Sequence, residues 1–349
     1  MHKRALLIIS KWPSRWCGES QKNYAFVSAL KDLNYSIDIY YNNAKQRFLR
    51  RIISACIGFL RGESARQGFF RIYEDLGVKN YDLIIVSLLQ NLPPDLEESN
   101  IVLIDYADLI SETYARRAKE YTGFLKIFWE LESKRFSFFE EKYLDKADQV
   151  TFASAADCKD DCRRKQLPNP ILLKSQDLFA GNNYKPGDDN GRYIFGGKLD
   201  VYQNKLSLEI LDKMSQDKNI KIDIYGATDN INTNKYKNLK FLGRVPEIEN
   251  LLLNYRAFLC PVPVSGGVQN KILEAIMLGC PVYSNKDAFM RIGVSTAFSK
   301  TFDIKNFSSS YKLGSEEFKL IIEEKERLKT IYGIKSFKLK FEEILNVFE

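Results

Sequence analysis

Short apolar runs and amphipathic stretches alternate along this chain. Residues 5–10 form a nearly unbroken apolar run, followed by a loop carrying Trp12, Pro13, Trp16 and Gly18. Residues 21–33 then set Tyr24, Phe26, Val27, Leu30 and Leu33 at helical spacings, and residues 36–41 return as a strand. Runs at 81–89, 101–104 and 149–154 read as further buried strands, with a long helix over 128–144. Apolar strands alternating with helices predict a parallel, doubly wound sheet covered on both faces.

The pattern breaks once and then restarts. Residues 167–191 are rich in Pro, Gly, Asn and Asp, which marks a linker. Beyond it, strands are expected at 192–195, 220–225, 239–242 and 258–262, with helices at 207–214, 316–330 and 336–349. A chain of 349 residues is long for a single core and suits two domains. The expected division is 1–168, a linker at 169–191, a second domain at 192–335, and a last helix at 336–349 that crosses back to the first domain.

Composition narrows the class. With 45% hydrophobic and 28% charged residues the chain is globular, and no apolar run reaches the ~18–20 residues that span a bilayer. The apolar start is too short for a signal peptide and is closed by Lys11, so a cytoplasmic setting is expected. The six cysteines are scattered without a Cys-x-x-Cys pair, which points to reduced thiols rather than a zinc site. The only histidine is His2, which excludes histidine-based nucleophilic triads. There is no Asp-x-Asp, Walker loop or Gly-x-Gly-x-x-Gly, so no metal or resident cofactor is expected.

The net charge of +7 is concentrated in places. Lys45, Arg47, Arg50, Arg51 and Arg61 interleave with Phe48, Leu49, Ile52, Ile53, Ile57, Phe59 and Leu60, and no acid interrupts them. This is a basic amphipathic helix. Two readings stand: a surface helix packed on the first sheet, or a contact with an anionic membrane or a lipid diphosphate. The stretch belongs to no recognised nucleic-acid-binding module, and nucleic acid is not an expected partner.

The densest chemistry lies at residues 263–284. Here a strand leads through Ser265, Gly266 and Gly267 into a short helix that stops at Gly279 before another strand. A helix start after such a turn leaves backbone amides free for an anion, with Val268 and Gln269 at its approach. Asn270, Lys271 and Glu274 then share one helix face. Amides and an ammonium suit a diphosphate, and a carboxylate suits sugar hydroxyls. The alternative for Lys271 and Glu274 is a surface ion pair worth about 0.2–0.5 kcal/mol.

This segment resembles the donor-site motif of the retaining GT-B glycosyltransferases of glycosyltransferase family 4. It carries Glu274-Ala-Ile-Met-Leu-Gly-Cys-Pro281-Val282 and the branch form Gly-Val-x-Asn-Lys ahead of it. The family's first motif glutamate is replaced by Gly266. The resemblance implies two Rossmann-like domains of the GT-B fold facing a central cleft. It also implies a UDP- or GDP-linked sugar held mainly by the second domain, and front-face transfer without a protein nucleophile. The acceptor, a glycan or a lipid-linked oligosaccharide of a bacterial surface polysaccharide, would lie on the first domain.

Residue by residue, the resemblance gives Glu274 the nucleotide's ribose and Lys271 the departing diphosphate. Gly196, Gly197 and Lys198, with Lys205 further on, match the family's basic turn after the first strand of the second domain. Gly18 and Glu19 match the loop that borders acceptor and donor phosphates, and Trp16 could stack on a sugar. Asp105 ends a buried strand, where parallel sheets face ligand, and is read as an acceptor contact. Asp108 reads as a helix N-cap. Two other functions fit the same motif: a nucleotide-sugar epimerase of this fold, and a silent partner in polysaccharide assembly.

Overall fold

The computed structural model describes residues 3–14, 18–43, 45–93, 96, 101–144, 146–158, 163–172, 191–246, 248–262, 268–310 and 313–348. The chain forms two compact units, one of Met1–Pro170 with Ile334–Glu349 and one of Ile171–Gly333. Of the expected linker, residues 173–190 lie outside the described residues, while Ile171 belongs to the core of the second unit.

The first unit is built on strands β1 (Arg4–Ile9), β2 (Ser36–Tyr41), β3 (Leu83–Ser87), β4 (Val102–Ala107), β5 (Gln149–Phe152) and β6 (Arg164–Gln166). Its helices are α1 (Gly18–Asp32), α2 (Phe48–Leu60), α3 (Ala65–Phe70), α4 (Ile110–Lys119) and α5 (Gly123–Leu144). The strands are all parallel, in the order β2-β1-β3-β4-β5-β6. Alternation along β1 explains its unbroken apolar run. Ala5, Leu7 and Ile9 face a cluster with Phe26 of α1, whereas Leu6 and Ile8 face one with Phe136 and Phe139 of α5.

Several boundaries differ from the sequence reading, among them those near candidate residues. Gly18 lies in the first turn of α1 rather than in a loop, and α5 starts five residues before 128. Helix α4 is capped at Leu109, not Asp108. Leu109 has no side chain to offer the free amides, and Glu140 from α5 takes over. Its carboxylate accepts from the Ile110 and Ser111 amides at 2.8 and 3.2 Å and from the Ser111 hydroxyl.

Burial pushes the Glu140 carboxyl up to about 7, against the pull of the Ser111 hydroxyl and the two amides. The folded protein therefore keeps a proton that the unfolded chain releases above about 4.5. This stabilisation is complete below that value and is lost as pH rises through about 7, on the order of 3 kcal/mol in all. Urea unfolding of Glu140→Gln should show a flatter dependence between these pH values than wild type. Equal slopes would assign the effect to other groups.

The second unit carries β7 (Tyr193–Gly196), β8 (Ile222–Tyr225), β9 (Leu239–Gly243), β10 (Ala257–Cys260) and β11 (Val282–Ser284). Its helices are α6 (Tyr202–Asp217), α7 (Ile248–Leu252), α8 (Asn270–Met277), α9 (Lys286–Ile292), α10 (Thr296–Thr301) and α11 (Ser315–Tyr332). The parallel order is β11-β10-β7-β8-β9. Strand order reverses between β7 and β10, and crevices at the carboxyl ends of such a pair are where α/β sheets bind ligands.

Helix α12 (Ile334–Leu345) belongs to the first unit. Phe337 and Phe341 pack edge-on against Phe26 of α1, with ring centres 5.3 and 5.4 Å apart. Both are buried, each contributing about 1.5–3 kcal/mol. Lys338 adds an ion pair to Asp32 at 2.6 Å.

Candidate functional site

At the carboxyl end of β7 the chain turns through Gly196 and Gly197 into α6. A Cβ on Gly196 would lie 2.3 Å from the Tyr225 ring, so only glycine lets these two strand ends approach. One turn into α6, the Asn204 amide donates to the Lys198 carbonyl at 2.7 Å and fixes the loop. The Asn204 carbonyl oxygen accepts from the Lys271 ammonium. A Cβ on Gly197 would be 3.8 Å from Lys271 Cδ. The β7 turn and helix α8 are thereby brought to one point.

The surroundings of Lys271 differ from those of a surface lysine. Its ammonium sits 4.3 Å from the centre of the Phe195 ring and beside the Cys260 thiol at the end of β10. Burial pulls the ammonium below the usual lysine range, while the thiol pushes the other way. A desolvated cation held by neutral groups is suited to an anionic ligand. Its neighbours are a turn of small residues and a helix start.

Helix α8 presents the rest. Its N-cap, Gln269, makes no side-chain cap, and its backbone carbonyl accepts from Ile272 and Leu273. By helix geometry the Asn270 and Lys271 amides have no acceptor within the helix. The Asn270 side-chain oxygen is buried without a hydrogen-bond partner. Val268, Gln269, Asn270 and Glu274 are all partly buried. Tyr225 is buried at the end of β8, and its hydroxyl is driven well above its usual pKa, first by burial and then by the Glu274 carboxylate. Glu274 is thus close enough to the Tyr225 hydroxyl to act on it.

The other expected residues fall into three groups. Ser265, Gly266, Gly267 and Trp16 lie outside the described residues. Lys198 and Lys205 are exposed, one after Gly197 and one in the first turn of α6. In the first unit, Asp105 is 1% exposed, and its carboxylate is held by the Lys22 ammonium at 2.6 Å and the Thr151 hydroxyl at 2.8 Å. These contacts tie Asp105 into the scaffold of the first unit.

Glu19 belongs to a polar chain where strand order reverses between β1 and β3. Its carboxylate accepts from the Ser10 hydroxyl at 2.7 Å and pairs with Lys11 at 3.2 Å. The Asn91 amide donates to the Ser10 hydroxyl at 3.3 Å, and the Asn42 amide donates to Asn91 at 3.0 Å. Sequence reasoning named Glu19 but not Ser10, Asn42 or Asn91, whose positions carry no local signal. Asn204 is likewise not among the expected residues, although it lies between Lys198 and Lys205. The one available sign was a polar residue one turn into the helix that follows a Gly-Gly turn.

Two parallel α/β sheets, each with its order reversing near the middle, define the GT-B fold, and solved structures of that fold match nearly the whole chain. Within it, residues 192–289 match the family model described as glycosyl transferases group 1. The Anabaena Alr3699/HepE structure in complex with UDP-glucose is 11% identical, covers 99% of this chain and 100% of its own, and has a TM-score of 0.59. The lipopolysaccharide outer core galactosyltransferase WaaB, in its apo form, is 12% identical over 99% of this chain and 100% of its own, with a TM-score of 0.54. A glycosyltransferase from Rickettsia africae is 12% identical over 98% and 97%, also with a TM-score of 0.54. No curated protein matches the chain by sequence.

Proposed function

We propose that the protein is a retaining glycosyltransferase that moves a sugar from a nucleoside diphosphate donor to a glycan or lipid-linked acceptor. The observation that carries this reading is the Lys271 ammonium, desolvated over Phe195 and held by Asn204 at the point where strand order reverses. The match of residues 192–289 to glycosyl transferases group 1 supports it. Neighbours of the same fold solved with UDP and with UDP-glucose favour a uridine donor.

In the proposed reaction the acceptor hydroxyl attacks the anomeric carbon on the face that the diphosphate leaves. The bond from that carbon to the phosphate oxygen breaks, and the leaving oxygen takes the acceptor's proton. No protein nucleophile, metal or cofactor is invoked. The chain's share is position and charge. Lys271 and the first amides of α8 meet the charge on the diphosphate. Glu274 accepts from the ribose hydroxyls. Lys198 and Lys205 extend into solvent, where they would meet the outer phosphate. The polar chain around Glu19 is the proposed acceptor side, in the synthesis of a surface polysaccharide.

Glu274→Gln tests the site. It should weaken UDP binding roughly 10- to 100-fold, the worth of charge-assisted bonds to two hydroxyls, with a matching loss in kcat/KM. Calorimetric titration with UDP, GDP and ADP reads the affinity and the choice of base. Wild-type affinity in the variant would remove Glu274 from the donor site. An epimerised donor formed without acceptor would replace transfer with isomerisation.

A further inference from the structure

Helix α2 is built inside out. Its buried residues are Ser54 and Gly58. Its large apolar side chains point the other way: Phe48, Leu49, Ile52, Ile53, Ile57 and Leu60 are exposed, Leu49 and Leu60 at 76% and 85%. At 100° per residue these positions form one continuous face, opposite the side that packs. The packed side is closely fitted. A Cβ on Gly68 of α3 would lie 2.7 Å from the Ser54 carbonyl oxygen. Glu132 of α5 caps α3 through the Ser64 hydroxyl at 2.9 Å and the Ala65 amide at 3.0 Å. The outward face is therefore held in place and cannot turn inward.

Helix α5 continues the same surface. Phe59 at the end of α2 lies 5.7 Å from Phe128, and Arg135 stacks on Phe59 at 4.1 Å. On the adjoining turns Phe124, Leu125, Ile127 and Leu131 are exposed. Beside α2 the charge on this apolar face has one sign, and on α5 the exposed Glu130 is paired to Lys126 at 3.9 Å. Helix α2 contains no acid, and Lys45, Arg50 and Arg61 are exposed beside it. The nearby acids Glu63 and Glu74 are paired to Arg71 and Arg47.

We infer that the joined faces of α2 and α5 dock the protein on an anionic lipid bilayer, apolar side chains at the acyl boundary and the basic ones among the headgroups. Apolar area and basic residues on one rigid face are the two terms that drive interfacial binding. A second copy is a poorer occupant. A two-fold contact through this face would bring two like-charged basic patches together. Among the described residues no helix is long and apolar enough to cross a membrane, so attachment here is to the surface. This inference is independent of the donor site, and either can fail alone.

Sedimentation with phosphatidylcholine vesicles, with and without phosphatidylglycerol, tests it. The full chain should pellet only with the anionic vesicles and be released by salt. Leu49→Glu with Ile53→Glu should cut binding about tenfold or more, because it places charge in the apolar layer. Arg50→Gln and Arg61→Gln should each cut it roughly fivefold. All four positions are exposed, so melting temperature should hold and UDP affinity should not move. Wild type left in the supernatant, or the double glutamate variant pelleting like wild type, would overturn the inference. So would a vesicle-free dimer that the glutamates dissociate.

Discussion

Replacing Lys271 with methionine should lower kcat for sugar transfer by about 10²–10³, the usual effect of removing one preorganised donor from a developing negative charge. Methionine keeps most of the apolar stem that lies against Gly197 and removes the ammonium over Phe195, so the change is close to a pure loss of charge. The charge on the bridging oxygen grows as the bond to the sugar breaks. A cation fixed beside that oxygen therefore gains more in the transition state than in the ground state, and kcat should fall more than KM rises. Stability should not fall with it. Burial disfavours the ammonium, and removing a desolvated charge relieves the empty site of a cost.

The same burial predicts a pH signature. The Lys271 pKa is depressed, so the free enzyme loses its cation at a lower pH than an ordinary lysine would. The kcat/KM profile, which reports the free enzyme, should show an alkaline limb below the usual lysine range. The kcat profile should carry that limb at higher pH, because a bound diphosphate favours the ammonium. Lys271→Met should abolish both limbs. A lysine that only packs would leave them in the methionine variant.

How much of this was legible depends on the range of the interactions involved. Strands such as β1 were readable because both faces are buried, which turns local composition into an unbroken apolar run. Helix α8 was readable because its turn, charged face and apolar face fall within one short segment. Strand β6, Arg-Lys-Gln at the sheet edge, was not, because an edge strand needs no apolar period. Helix α2 was visible as amphipathic, but periodicity does not say which face packs. Ser54 and Gly58 inside, with leucines and isoleucines outside, became apparent only once α3 and α5 were in place. At the site, Lys271 and Glu274 came from local spacing, whereas Asn204 reaches Lys271 across 67 residues. The partner of Asp105 is 83 residues distant.

That distant pair leads to the largest expected effect on stability. Lys22 and Asp105 are 2% and 1% exposed, with ammonium and carboxylate 2.6 Å apart. Lys22→Met should destabilise the first unit by about 3–5 kcal/mol, because it strands a carboxylate in the core with the Thr151 hydroxyl still donating to it but no cation beside it. The pair itself need not be strongly stabilising, since its attraction largely offsets the cost of taking two charges out of water. Lys22→Met combined with Asp105→Leu should therefore recover most of the loss, a positive coupling visible in a urea-unfolding cycle. Additive losses would mean that the two groups act separately. The folded double variant also decides what Asp105 is for. With so little surface it has nothing to offer a sugar, and the acceptor KM should match wild type. A raised acceptor KM in a protein of restored stability would return Asp105 to the acceptor site.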